Sequence, residues 1–130
     1  MRAIKIYQPH GPKAPMLTFI ETLDPKLQKK LRRQFHLLAH TELNALREPH
    51  YKHFVLEKYS QFYELREKNK VLVRIIFMID GEDILLLTPF IKRQPRDTMR
   101  ALEASLGILA EIRADPSLAV NMNFWEEETK

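Results

Sequence analysis

The dipeptide Asp80-Gly81 stands between two apolar runs, 71–79 and 83–90, and it constrains this chain more than any other feature. Asp-Gly flanked by β-branched and aliphatic residues is a strong short-range hairpin signal, because a two-residue type I′ turn needs positive φ at both central positions. A turn centred there makes residues whose numbers sum to 161 face one another, so Phe77 is expected opposite Ile84 and Arg74 opposite Leu87. Ile84-Leu85-Leu86-Leu87 is apolar on both faces, as an interior strand covered on two sides requires. In the preceding run Val71, Val73, Ile75, Phe77 and Ile79 are all apolar, which puts Arg74 on the other face.

The rest of the chain arranges itself around that hairpin. Ala3-Ile4-Lys5-Ile6-Tyr7 reads as a short strand ended by Pro9 and Gly11-Pro12, and residues 14–23 as a short helix with Pro15 near its first turn. Asp24-Pro25 is the clearest helix start: the carboxylate caps free amides and proline has its φ already set. Leu27, Leu31, Phe35 and Leu38 then draw one apolar stripe, and the helix is expected to run to about Leu46. Residues 54–59 and 61–67 read as further strands, and a last helix runs from about Pro95 to Ala114 on Met99, Leu102, Leu106 and Leu109. Gly107 inside it costs about 1 kcal/mol relative to alanine. The expected fold is therefore α+β: an N-terminal strand, two helices, an antiparallel meander of three to four strands and a C-terminal helix. Residues 1–114 form one domain in this reading, with 115–130 an acidic tail that joins Leu118, Val120, Phe124 and Trp125 to Glu126-Glu127-Glu128.

Charge separates along the same boundary. The net +4 of the 130 residues divides into +8 over residues 1–100 and −4 over residues 101–130. A basic body points toward polyanions such as nucleic acid, and the acidic tail is expected to fold back on a basic surface. The absence of cysteine removes disulfides, thiolate catalysis and cysteine-based zinc sites. No apolar stretch reaches the roughly 18 residues of a membrane span, and the first residues lack a signal-peptide pattern. The expected location is the cytoplasm, with no membrane partner.

Four cations fall on or beside the expected sheet: Arg66, Arg74, Lys92 and Arg93. If Glu67 pairs with Val71, Glu64 opposes Arg74, and Glu64, Arg66 and Arg74 share one face; a one-residue shift moves Arg66 to the other. Arginine offers a planar fork that matches phosphate oxygens, so the cluster suits a phosphodiester and the charge that develops on a phosphorane. The alternative is that both arginines are strand residues paired with Glu64 and Glu67. His50 and His53, in the loop before the sheet, are either acid–base groups folded over the cluster or solvated loop residues. His36 and His40 are four apart on one helix, but no third ligand stands at a diagnostic spacing, so no metal site or cofactor is expected. Lys29-Lys30-Leu31-Arg32-Arg33 is either a solvated helix face or a docking surface for RNA, a ribosome or an acidic protein segment.

Phe62-Tyr63-Glu64-Leu65-Arg66, then Arg74, Asp80-Gly81 and Ile84-Leu85-Leu86-Leu87-Thr88-Pro89-Phe90-Ile91-Lys92-Arg93, then a helix opening near Pro95, resembles the RelE/ParE toxin superfamily, with the closest likeness to its HigB-like, phage-related branch. The resemblance covers about residues 54–113. It implies a toxin of a type II toxin–antitoxin module: a metal-independent endoribonuclease that cuts messenger RNA on the ribosome and is neutralised by a cognate antitoxin, commonly a helix-turn-helix protein. It assigns catalysis to Arg66, Arg74, Lys92 and Arg93; beside it, RNA or ribosome contact is expected of the basic and loop residues Lys68, Lys70, Lys52, His53, Arg96, Lys29, Lys30, Arg32 and Arg33. The assembly is expected to be a homo-oligomer or a toxin–antitoxin complex. Thr88-Pro89 replaces the family's common His-Gly, and Met99 stands where some members place a tyrosine. A gyrase inhibitor of the ParE type and an inactive phage-derived binding module on the same scaffold are the alternatives.

Overall fold

The computed structural model describes residues 2–11, 13–42 and 50–122. Among these residues three helices cover a six-stranded sheet in chain order β1 (Ile4–Tyr7), α1 (Pro15–Glu21), α2 (Pro25–His40), β2 (Tyr51–His53), β3 (Phe62–Asn69), β4 (Val71–Asp80), β5 (Asp83–Ile91), α3 (Pro95–Ala114) and β6 (Ala119–Asn121). Across the sheet the order is β2-β3-β4-β5-β1-β6. β2 to β5 form an antiparallel meander, as expected. The sheet is larger than that meander and mixed, because β1 pairs parallel to β5 and β6 pairs antiparallel to β1.

The α2 cap forms as its sequence dictates. The Asp24 side chain accepts from the Leu27 amide at 2.9 Å, with Pro25 in the first turn. The helix buries Leu27, Leu31, Phe35 and Leu38 against one face of the sheet, where Leu65, Val73, Ile75, Phe77, Ile84 and Leu86 meet it. Each such side chain contributes about 1.5–3 kcal/mol of burial. The helix stops at His40, with Thr41 already extended; the expected continuation to Leu46 lies partly outside the described residues. α3 covers the other face through Ala101, Leu102, Leu109 and Ile112, against Ile76, Met78, Leu85 and Leu87. β5 is thus covered on both sides, as its unbroken apolar run required.

Two turns correct the expected registers. The β4–β5 turn is centred on Gly81-Glu82, and Asp80 pairs with Asp83. Of these two residues only Gly81 (φ +63°) has positive φ, the pattern of a type II′ turn and not of type I′. Phe77 therefore faces Leu86, not Ile84. A bulge follows: Ile76 pairs with Thr88, which leaves Leu87 as the extra residue on β5, so Arg74 faces Phe90 and not Leu87. At the other end Lys70, at φ 70°, makes the β3–β4 turn alone, and Glu67 pairs with Val73, two residues from Val71, the partner on which the sequence makes the shared face of Glu64, Arg66 and Arg74 conditional. The run at 54–59 is not a strand. The strand is Tyr51–His53, and Glu57–Tyr59 forms a single 3₁₀ turn.

Candidate phosphate-binding face

α3 lies along β5, and among the described residues the part of that sheet face over β3 and the first half of β4 is left partly exposed, at Arg66, Arg74 and Leu72. The registers put two rows of side chains there. Lys52, Glu64, Ile76 and Thr88 are successive partners across β2 to β5, and Arg66, Arg74 and Phe90 form the next row. One step further, Lys68 opposes Leu72, and the Lys92 amide donates to the Leu72 carbonyl at 2.8 Å. Lys52, Arg66, Lys68, Arg74 and Lys92 therefore share one face, with Leu72 and Phe90 as its apolar floor.

Glu64 is the pivot of this cluster and is only 1% exposed. Its Oε1 accepts from Arg66 Nε at 2.8 Å and lies 3.7 Å from Arg74 Nε. The two arginine side chains keep 25% and 13% exposure respectively. Like charges directly opposed on antiparallel strands repel, and one buried carboxylate between them leaves the trio at +1. Burial holds the Arg74 guanidinium below its ordinary pKa; Glu64 acts against that shift and Arg66 adds to it. Arg74 Nη1 donates to the Val73 carbonyl at 3.1 Å, while its Nε and the second Glu64 oxygen are buried without a hydrogen-bond partner. These two atoms are closed to a ligand; an anion on this face meets the partly exposed outer parts of the two guanidinium groups, at 25% and 13% side-chain exposure.

Arg93 is exposed just past β5, and its amide, with that of Gln94, donates to Asp97 Oδ2 at 2.8 and 2.9 Å. Those two bonds hold the Asp97 carboxyl below the usual range, and the one from the Gln94 amide is half of the α3 capping box, which the Asp97 amide completes by donating to the Gln94 side chain. Arg96 is exposed in the first turn of α3, and Lys70 is exposed at the β3–β4 turn. Where α3 meets the open face, Thr88, Phe90, Asp97 and Arg100 line a shallow hollow of about 280 Å³.

The histidines are placed elsewhere. His53 projects from the opposite face of β2, stacked on Tyr63 with its Nε2 2.6 Å from the Ser60 carbonyl. His50 Nδ1 lies 3.8 Å from Glu67 Oε2, on the α2 side of the sheet. His10 pairs with Asp115, and the His36 and His40 rings are 4.5 Å apart on α2. Among the described residues no group of three histidine or carboxylate side chains is placed to hold a metal ion, and no helix is long and apolar enough to cross a membrane.

The basic run on α2 forms a separate surface. Lys26, Lys29, Lys30 and Arg33 border a groove of about 710 Å³ that ends at Asn69, and Lys30 Nζ donates to the Lys68 carbonyl at 2.9 Å. Arg32 points to the other flank of the helix, toward α1. Beneath the groove a polar relay crosses the core: the Tyr51 hydroxyl donates to Gln34 Oε1, and Gln34 Nε2 donates to Glu67 Oε2 at 2.7 Å. Leu72 and Phe90 on the open face, and this relay, were not singled out from the sequence. The alternation Lys52-His53-Phe54 would have separated Lys52 from His53.

Residues 18–106 match the family profile described as phage derived protein Gp49-like (DUF891). The matched stretch contains every cation of the open face. No curated protein and no solved structure matches the chain.

Proposed function

The chain belongs to the Gp49-like family of phage-derived proteins, a family of RelE/ParE-like toxins of toxin–antitoxin modules, and on that footing we propose that it is a toxin of the HigB-like branch that cuts messenger RNA on the ribosome. The observation that carries this reading is the pairing of Arg66 and Arg74 on an open sheet face around the buried carboxylate of Glu64. Lys52, Lys68 and Lys92 surround them, so a phosphodiester laid across the face meets cations on three strands. In cleavage by the adjacent 2′-hydroxyl, negative charge grows on the non-bridging oxygens as the phosphorane forms. Fixed guanidinium donors stabilise that charge more than the ground state, which is where a rate gain originates. Each imidazole has a partner away from this face, so the chain's contribution is electrostatic and positional, with Lys92 and Arg93 at the rim where the strand of RNA leaves the sheet. Lys29, Lys30, Arg33 and the β3–β4 turn with Lys70 supply the longer-range attraction to ribosomal RNA, and a cognate antitoxin neutralises the whole.

The test is cleavage of a message positioned on purified ribosomes. The wild-type chain gives discrete cuts, and Arg66→Gln slows them by about 10²-fold, the loss typical of one transition-state donor. Absence of cutting by the wild type overturns the reading. One observation favours the second reading, a scaffold that binds without cutting: Arg66 is bonded to Glu64 and Arg74 is only 13% exposed, as ion-paired strand residues would be. That reading, which includes a ParE-type gyrase inhibitor, predicts intact message, and a supercoiling assay identifies the gyrase case.

A further inference from the structure

The hollow of about 280 Å³ between β5 and α3 exists because α3 carries alanine there twice, at 101 and 104, three residues apart on one side of the helix. No large side chain of α3 fills the space beside the half-buried ring of Phe90. The lining is mostly apolar, with three polar side chains at its border: Thr88, Asp97 and Arg100.

Bonds within the protein decide what those three can offer. Ser105 donates its hydroxyl proton to the Ala101 carbonyl at 2.8 Å, and its Oγ lies 2.7 Å from Thr88 Oγ1. A serine has one proton to give, so Thr88 is the donor in that pair and its oxygen keeps only lone pairs for a ligand. Asp97 takes the Arg93 and Gln94 amides on one oxygen, Oδ2. Even with the Gln94 side chain beside it, the other oxygen keeps acceptor capacity. Arg100 is exposed, three residues from Asp97 along α3, and has donors alone. The border therefore presents two acceptors and a donor next to an aromatic wall.

An aromatic wall with a polar border fits an unpaired nucleobase. Among the RNA bases guanine alone places two N–H groups side by side, N1–H and the 2-amino group, with the acceptors O6 and N7 next to them. Position adds to chemistry: Phe90 is the direct strand partner of Arg74, one strand spacing of about 4.8 Å away. A phosphate on the arginine pair and the base it carries can occupy the two neighbours together. Resting on the reading of the open face as an RNA phosphate site, we propose that the hollow is the subsite of one unpaired guanine. The base stacks on Phe90, donates N1–H and its 2-amino group to Asp97 and Thr88, and accepts from Arg100 at O6. Duplex RNA is excluded, because pairing engages the same edge of the base.

The test compares short oligouridylates that carry one central guanine, inosine or adenine, all 2′-O-methylated so that no attacking hydroxyl is present and binding alone is read. The full wild-type chain, without ribosomes, is expected to hold the guanine oligomer about tenfold tighter than the adenine one, within the range that one bidentate base contact supplies. Inosine, which lacks only the 2-amino group, loses most of that preference. Ala104→Met fills the hollow from an exposed position of α3 and alters no charge. It is expected to abolish the preference and to leave the salt dependence of binding unchanged, since that dependence counts phosphates. Asp97→Asn, which exchanges one acceptor for a donor, lowers the preference as well. Circular dichroism checks that both variants are folded, and if Asp97→Asn is not, Ala104→Met decides. The inference is overturned if the wild type binds guanine no tighter than adenine or inosine, or if folded Ala104→Met keeps the preference. Either result leaves the phosphate reading of the open face standing, whereas a wild type that binds none of the oligomers overturns both.

Discussion

Replacing Glu64 by glutamine keeps the shape of the side chain and removes the one negative charge between two arginines. Glu64 is 1% exposed and Arg66 donates to it at 2.8 Å, so the substitution exchanges a charge-assisted hydrogen bond for a weaker one and raises the trio from +1 to +2. A hydrogen bond to a charged group is worth about 1.5–3 kcal/mol, and removing one partner of a fully buried ion pair costs about 3–5 kcal/mol. The arginines retain 25% and 13% exposure, so water takes over part of the lost interaction and the lower end of that range applies. The expected cost is about 2–3 kcal/mol, a melting temperature lower by about 6–15 °C for a chain of this size. Thermal unfolding of wild type, Glu64→Gln, Arg66→Gln and the double variant closes a cycle whose coupling energy is expected near 1–2 kcal/mol. The same change removes the negative charge between two cations of this face, so affinity for a single-stranded oligonucleotide at low salt should rise while stability falls. A Glu64→Gln melt within about 0.5 kcal/mol of wild type, the range of ordinary surface substitutions, with no coupling to Arg66, would refute the idea that Glu64 holds the arginine pair.

Three further outcomes follow from other parts of the fold. Tyr51→Phe removes the donor to Gln34 Oε1, whose residue is 5% exposed, and should cost about 1–3 kcal/mol in guanidinium unfolding, the penalty for an unpaired buried acceptor. Burial, with Glu67 adding to it, raises the Tyr51 hydroxyl pKa; the folded state keeps its proton longer than the unfolded one, so this part of the stability is whole below about pH 10 and is lost as pH rises beyond it. The gap between wild type and Tyr51→Phe should therefore be constant up to about pH 10 and narrow as pH rises above it. Gly81→Ala places a Cβ in open space but at φ +63°, so the cost is conformational alone, about 1–2 kcal/mol by thermal melting. Asp97→Asn weakens the acceptor for the Arg93 and Gln94 amides and should lower the melting temperature. Since the folded carboxyl titrates below its usual value, that deficit is full above about pH 4 and closes as pH falls further.

The meander was legible because its signals are local. Asp80-Gly81 marked the β4–β5 hairpin, and the odd-numbered apolar run of β4 fixed which face Arg74 takes. Register was less legible, and the two turns show why. At the β3–β4 end the shift was two residues, which preserves parity, so Glu64, Arg66 and Arg74 stayed on one face. On β5 the extra residue at Leu87 reverses parity, so beyond it the even residues Thr88 and Phe90 face the α3 side. That reversal is what brings Lys92, and not Arg93, to the row beside Arg74, and nothing in Leu86-Leu87-Thr88 announces it. β1 and β6 complete the sheet through partners far away in the chain, and a strand of three residues such as Ala119–Asn121 has too few positions to carry a pattern. Likewise the histidines could be located near the sheet from sequence, but only strand alternation in the folded chain shows His53 turned away from the cations.

The central claim is that phosphates sit on the open face of β3 to β5, and the salt dependence of RNA binding tests it most directly. For wild type and Arg66→Gln/Lys92→Gln, affinity for a single-stranded RNA is measured from about 50 to 300 mM salt. If both cations neutralise a phosphate, the slope of log K against log salt becomes shallower by about 1.4, which is about 0.7 for each phosphate that the variant leaves unneutralised. An unchanged slope, with the loss of affinity confined instead to Lys29→Gln/Lys30→Gln on α2, would contradict the account.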